Sequence, residues 1–86
     1  MQGFLIERYW PGVTLRDVGQ INAQLEDAGN AEASFIGSFL VPADELVLFE
    51  FRASSAQAVL DLSERAKLRC DRIVSVTRLP PTLTGG

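Results

Sequence analysis

The chain has 86 residues, 47% of them hydrophobic and 22% charged, with a net charge of −3, which describes one globular domain with no room for a second. It holds no histidine and one cysteine, which excludes an imidazole base, a Ser-His or Cys-His nucleophile pair, an intrachain disulfide and a Cys-rich zinc site. Its eight Lys and Arg are scattered, unlike the basic face of a nucleic-acid binder, and no apolar run approaches the ~20 residues of a membrane span.

Gly3 to Tyr9, rich in branched and aromatic residues and closed by Pro11 and Gly12, is predicted as a strand. Thr14 then opens a helix, with Asp17 three residues on in capping-box position. Leu15, Val18, Ile21, Leu25 and Ala28 draw one apolar stripe. Gly29 and Asn30, which both tolerate left-handed backbone, supply its stop. Phe35 to Val41 is the second strand, Pro42-Ala43-Asp44-Glu45 a turn, and Leu46 to Arg52 the third strand, so the pair forms a hairpin. Ser54 or Ser55 caps a second helix whose buried face carries Ala56, Val59, Leu60, Ser63 and Ala66. Asp71 to Arg78 alternates as a fourth strand.

This order, strand-helix-strand-strand-helix-strand, is the split βαβ pattern: an α+β fold in the ferredoxin-like βαββαβ arrangement, with two helices on one face of a four-stranded antiparallel sheet. Residues 1–79 are expected to form the domain and 80–86, rich in proline, threonine and glycine, a flexible C-terminal tail. The first ten residues include Glu7 and lack a leader pattern. A cytoplasmic protein with no membrane or nucleic-acid partner is expected.

Alternation sorts each strand into two faces. The helix-covered face is expected to take Phe4, Ile6, Val47, Phe49, Phe51, Val74 and Val76. The open face then takes Leu5, Glu7 and Tyr9, with Leu48, Glu50 and Arg52, with Ile73, Ser75 and Thr77, and with Ile36, Ser38 and Leu40. So much apolar surface argues for burial against a second copy. Folding should hide about 8,600 Å², and its apolar share, roughly 60%, returns about 130 kcal/mol at ~25 cal/mol per Å². Ordering the chain costs about the same at ~1.5 kcal/mol per residue, so a homodimer through the open face would add useful stability.

Glu7 and Glu50, on the two central strands, can share the middle of that face. Two neighbouring carboxylates can bind a cation, share a proton, or act as general acid and base. They can equally be neutralised by Arg8, Arg52 or Arg78. A pocket there is expected to be lined by Glu7, Tyr9, Ser38 and Glu50 and roofed near Trp10, with Glu7, Glu50 and Tyr9 as candidates for catalysis. Cys70 follows Lys67 and Arg69 but has no base beside it. Gly12, Gly29 and Gly37 are isolated, so no phosphate-cradling loop and no cofactor is expected.

Phe4-Leu5-Ile6-Glu7-Arg8 closing on Pro11-Gly12 and Thr14, together with Gly37-Ser38-Phe39, Phe49-Glu50 and Asp71-Arg72-Ile73-Val74, resembles a small bacterial family of nickel-binding, ferredoxin-like proteins, long carried as a domain of unknown function. The resemblance spans residues 4–78. It implies a ferredoxin-like fold, a homodimer through the sheets and, in some members, a bound nickel ion. This chain has Val47 where family members often carry a cysteine, and no histidine near the second helix. Nickel prefers imidazole and thiolate donors, so no metal ligand is assigned.

Three function classes follow. The first is a dimeric module binding a small, mostly apolar molecule at the open face. The second is a cofactor-independent isomerase or cyclase using the pocket carboxylates, and the third a protein-interaction face; beside these, the family resemblance implies a nickel- or other divalent-metal-binding protein.

Overall fold

The computed structural model describes residues 1–82, so residues 83–86 of the expected tail lie outside the described residues. The elements run β1 (Gln2–Tyr9), α1 (Leu15–Ala28), β2 (Ala33–Val41), a 3₁₀ turn (Pro42–Asp44), β3 (Leu46–Ala53), α2 (Ala56–Arg65) and β4 (Arg72–Val76). The strands pair antiparallel in the order β2-β3-β1-β4. With both helices on one face, this is the ferredoxin-like α+β fold, and β1 and β3 are its central strands.

Local chemistry explains the boundaries. Thr14 Oγ1 accepts from the Asp17 N–H at 3.1 Å while the Asp17 carboxylate accepts from the Thr14 N–H at 3.0 Å, the reciprocal bonds of a capping box. Ser55 caps α2 by accepting from the Ala58 N–H. The stop of α1 differs from expectation. Gly29 is extended (φ −63, ψ 154), and the turn is made by Asn30, whose Oδ1 accepts from the backbone of Glu32 and Ala33 at 2.9 and 3.1 Å. A short polar side chain thus does locally what left-handed backbone at Gly29 and Asn30 was expected to do.

Two helix positions also differ. Leu15 is 77% exposed, because at ~100° per residue it lies about 90° round α1 from the centre of the buried Val18, Ile21 and Leu25. On α2 the buried face is Val59, Leu62, Ser63 and Ala66. Leu60, about 100° round the helix from Val59, is only half-buried.

The core lies between sheet and helices, with Ile6, Leu25, Val47, Phe49, Phe51, Val59 and Leu62 fully buried. Phe35 tilts against Phe49 and Phe51 at centroid distances of 6.5 and 5.6 Å.

Registers change two expected face assignments. In β4, Ile73 pairs with Ile6 and Ser75 with Phe4, while Val74 pairs with Leu5 and Val76 with Gly3. Val74 and Val76 therefore share the open face, and Ile73 packs against the core. Consecutive β-branched residues make the strand apolar on both sides, and the larger one, partly buried, faces the core. In β2 a bulge falls between Phe35 and Gly37, which makes Ile36 the extra residue and reverses the expected alternation beyond it. Ser38 and Leu40 pair with Phe49 and Val47 on the helix-covered face, and Gly37, Phe39 and Val41 take the open one. β4 also ends at Val76, short of the expected Arg78, where β1 runs out of paired residues.

Candidate functional site

The open face can be read in rows across the strands, because residues that pair on a ladder share a face. One row is Arg52, Gly3 and Val76; the next is Gly37, Glu50, Leu5 and Val74. A third is Phe39, Leu48, Glu7 and Arg72, and the last holds Val41, Leu46 and Tyr9. Phe39 (55% exposed) and Tyr9 (56%) stand out from this surface, with no layer over them among the described residues.

Glu7, Tyr9 and Glu50 share this face as expected. Glu7 and Glu50 occupy adjacent rows on neighbouring strands, a diagonal placement roughly 7–8 Å apart at the backbone. Each carboxylate faces an arginine. Arg78 Nη2 donates to Glu50 Oε2 at 2.9 Å, and Arg72 Nε lies 3.6 Å from Glu7 Oε2. Arg78 was an expected partner. Arg72 was not, because its place opposite Glu7 follows from the β4 register.

Ser38 and Trp10 are not on this face. Ser38 Oγ accepts from Asn22 Nδ2 at 2.9 Å, tying β2 to α1. Trp10 packs against the core beyond the end of β1, with the Arg8 guanidinium carbon 3.5 Å from its ring centroid. Arg8 pairs with Val47 on the helix-covered side, so Trp10 does not roof the open face. Burial, followed by repulsion from Arg69, pulls the Arg8 guanidinium below its ordinary value, with Asp71 and Asp17 opposing.

At that same end Asp71 accepts from the Tyr9 N–H at 2.8 Å and from Arg69 Nε at 3.0 Å. Chiefly through the Tyr9 bond, its carboxyl is held below the ordinary range. Burial first, then the Asp71 charge, pushes the Cys70 thiol up. This is the reverse of what a nucleophilic cysteine needs.

At the other end of the face lies a cleft of about 680 Å³. Leu5, Phe39 and Val76 supply its apolar surface, and Glu50, Arg52 and Arg78 its charge. Its shape follows from glycine. A Cβ at Gly3 would meet the Val76 carbonyl oxygen at 3.0 Å, so any side chain there would have to push the β1–β4 pairing apart by a few tenths of an ångström. The missing side chain leaves a hollow between Arg52 and Val76. Arg78, beyond β4, reaches across β1 to Glu50 on β3 and walls this hollow. Sequence reasoning missed Gly3, Phe39 and Val76. Of these, Gly3 carried a usable signal, since a glycine inside a strand often marks close backbone approach.

The donors do not fit a nickel ion: among the described residues no three His, Cys, Asp or Glu side chains gather. No helix among them is long and apolar enough to cross a membrane.

No protein-family model matches the chain, and no curated protein matches it. Among solved structures, the crystal structure of SCO4226 from Streptomyces coelicolor A3(2) superimposes with a TM-score of 0.79 at 22% identity, covering 91% of this chain and 99% of that one. At that identity the likeness speaks for the fold, and the chain is similar to the Streptomyces protein in having the same ferredoxin-like α+β architecture.

Proposed function

We propose that this protein is a cytoplasmic, dimeric binding module that encloses a small, mostly apolar molecule in the cleft of its open sheet face. The observation that carries the reading is the cleft itself. A hollow of about 680 Å³ falls within the size range of small-molecule sites, roughly 300–1,000 Å³. It lies on a face whose apolar side chains have no cover among the described residues. A second copy laid on that face dries the cleft and closes it.

A binding role is favoured over proton transfer. Glu7 and Glu50 each stand beside an arginine, and Tyr9 lies at the opposite end of the face from the cleft. A resident metal has no part in the reading, since no donor cluster is present among the described residues.

The test uses octanol, a neutral apolar probe. Titration into isotopically labelled protein is expected to shift the backbone amides of Leu5, Glu50 and Val76 and to leave those of α1 in place. Unmoved cleft amides at saturating probe overturn the reading.

A further inference from the structure

The charges of the cleft narrow the ligand class. Glu50, Arg52 and Arg78 all line it. Arg78 is engaged by Glu50 at 2.9 Å, whereas Arg52 makes no ion pair among the described residues. Among the side chains that line the cleft, two guanidinium groups stand against one carboxylate, which leaves the Arg52 charge uncompensated beside an apolar surface. Arg52 is flanked on β1 by Gly3, and on β2 by Ser34. No bulky neighbour covers it from either side, so its donors remain available at the cleft edge.

We infer that the ligand is an apolar monocarboxylic acid, its body against Leu5, Phe39 and Val76 and its carboxylate on Arg52. The planar guanidinium fork matches a carboxylate in a bidentate arrangement. One free guanidinium fork with the Glu50 carboxylate close by suits a monoanion better than a phosphate ester, which carries more than one negative charge near neutral pH. Glu50 acts as the counterweight. It occupies Arg78 and repels an incoming anion, so the ligand headgroup is directed to Arg52. The inference rests on the reading of the cleft as a small-molecule site.

The experiment compares octanol, octanoate and octyl phosphate, three probes with one chain and different heads, by the same amide-shift titration. Octanoate is expected to bind about fivefold tighter than octanol, the scale of one partly exposed ion pair. Arg52→Gln should erase that preference, bringing octanoate to the affinity the same variant shows for octanol, and Arg52→Lys should restore part of it. Glu50→Gln should move the other way and tighten octanoate, because it removes the competing charge and frees Arg78.

Equal affinity for octanol and octanoate, unaffected by Arg52→Gln, overturns the carboxylate assignment and leaves the apolar-ligand reading standing. Octyl phosphate binding more tightly than octanoate overturns it in favour of a phosphate ester. If none of the three probes moves the cleft amides, the small-molecule reading fails and this inference fails with it.

Discussion

Lys67 carries a left-handed backbone, φ 60, at the end of α2. Its N–H donates to the Glu64 carbonyl at 3.1 Å and that of Leu68 to the Ser63 carbonyl at 2.8 Å, with Leu68 buried at 5% exposure. These are the bonds and the apolar contact of a Schellman motif, in which glycine is the favoured residue at this position. A left-handed L-residue costs roughly 1–2 kcal/mol, and glycine's extra unfolded-state entropy returns part of the gain. Lys67→Gly is therefore expected to stabilise by about 0.5–1 kcal/mol, seen as a rise of a few degrees in the thermal midpoint. An unchanged or lower midpoint would mean that the lysine side chain contributes a contact of its own. Glu45 offers the contrast. Its φ is 49, but its carboxylate accepts from the Gly12 N–H at 3.0 Å and its carbonyl from the Trp10 N–H at 2.8 Å. Glycine there relieves the backbone but loses the side-chain link. Helix starts were legible in the sequence because Thr14, Asp17 and Ser55 are capping types. Lys67 and Glu45 were not, because neither residue type signals a left-handed turn and only the surrounding bonds impose one.

At the scale of elements, strand order and type were legible, while the faces of the two edge strands were not. β1 and β3 have partners on both sides and alternate cleanly, so Phe4, Ile6, Val47, Phe49 and Phe51 fell on the covered face as expected. β2 and β4 each have one partner. A bulge costs little at such an edge, and the extra residue leaves no mark in the run Phe35 to Val41, where apolar residues fall in both alternation classes. That is why Ser38 was placed on the wrong side and why Phe39 was missed in the cleft; Val76 was missed because consecutive Ile73 and Val74 make β4 apolar on both sides. The bulge makes a sharp prediction. Ile36 is 49% exposed, and without it Phe35 and Gly37 would become successive residues that already oppose Phe51 and Glu50. Deleting Ile36 should thus preserve every β2–β3 pair and change stability by no more than about 1 kcal/mol. Deleting Phe39 should send Leu40 out of the core face and shift its neighbours by one position. Urea unfolding of the two deletions is expected to give a near-native midpoint for the first and a collapsed one for the second. Similar midpoints for both would show that the register is not held as described.

For the whole molecule, the two sides of the sheet have different fates. One is sealed by α1 and α2; the other presents Leu5, Phe39, Val41, Leu46, Leu48, Val74 and Val76 with ion pairs set among them. The ion pairs neutralise most of the charge on this face, so a second copy can approach without burying many unpaired groups. Sedimentation is expected to show a dimer at micromolar concentration. Leu48 is the natural place to break it. It stands in the row between Phe39 and Glu7, with Glu7 directly opposite. In a monomer, Leu48→Glu leaves a carboxylate in water beside a like charge, a cross-strand penalty of about 0.2–1 kcal/mol. In a dimer the same carboxylate is desolvated with no free cation in its own row, since Arg72 is taken by Glu7, and an uncompensated buried charge costs about 3–5 kcal/mol. The two copies carry the change symmetrically, so the cost enters twice. The variant should sediment as a monomer and keep the circular dichroism of the parent. Leu48→Gln, without the charge, should weaken association less, and Gln20→Glu on the exposed side of α1 should not affect it. A Leu48→Glu protein that still dimerises with parental affinity would place the interface elsewhere and leave the apolar face to a different partner.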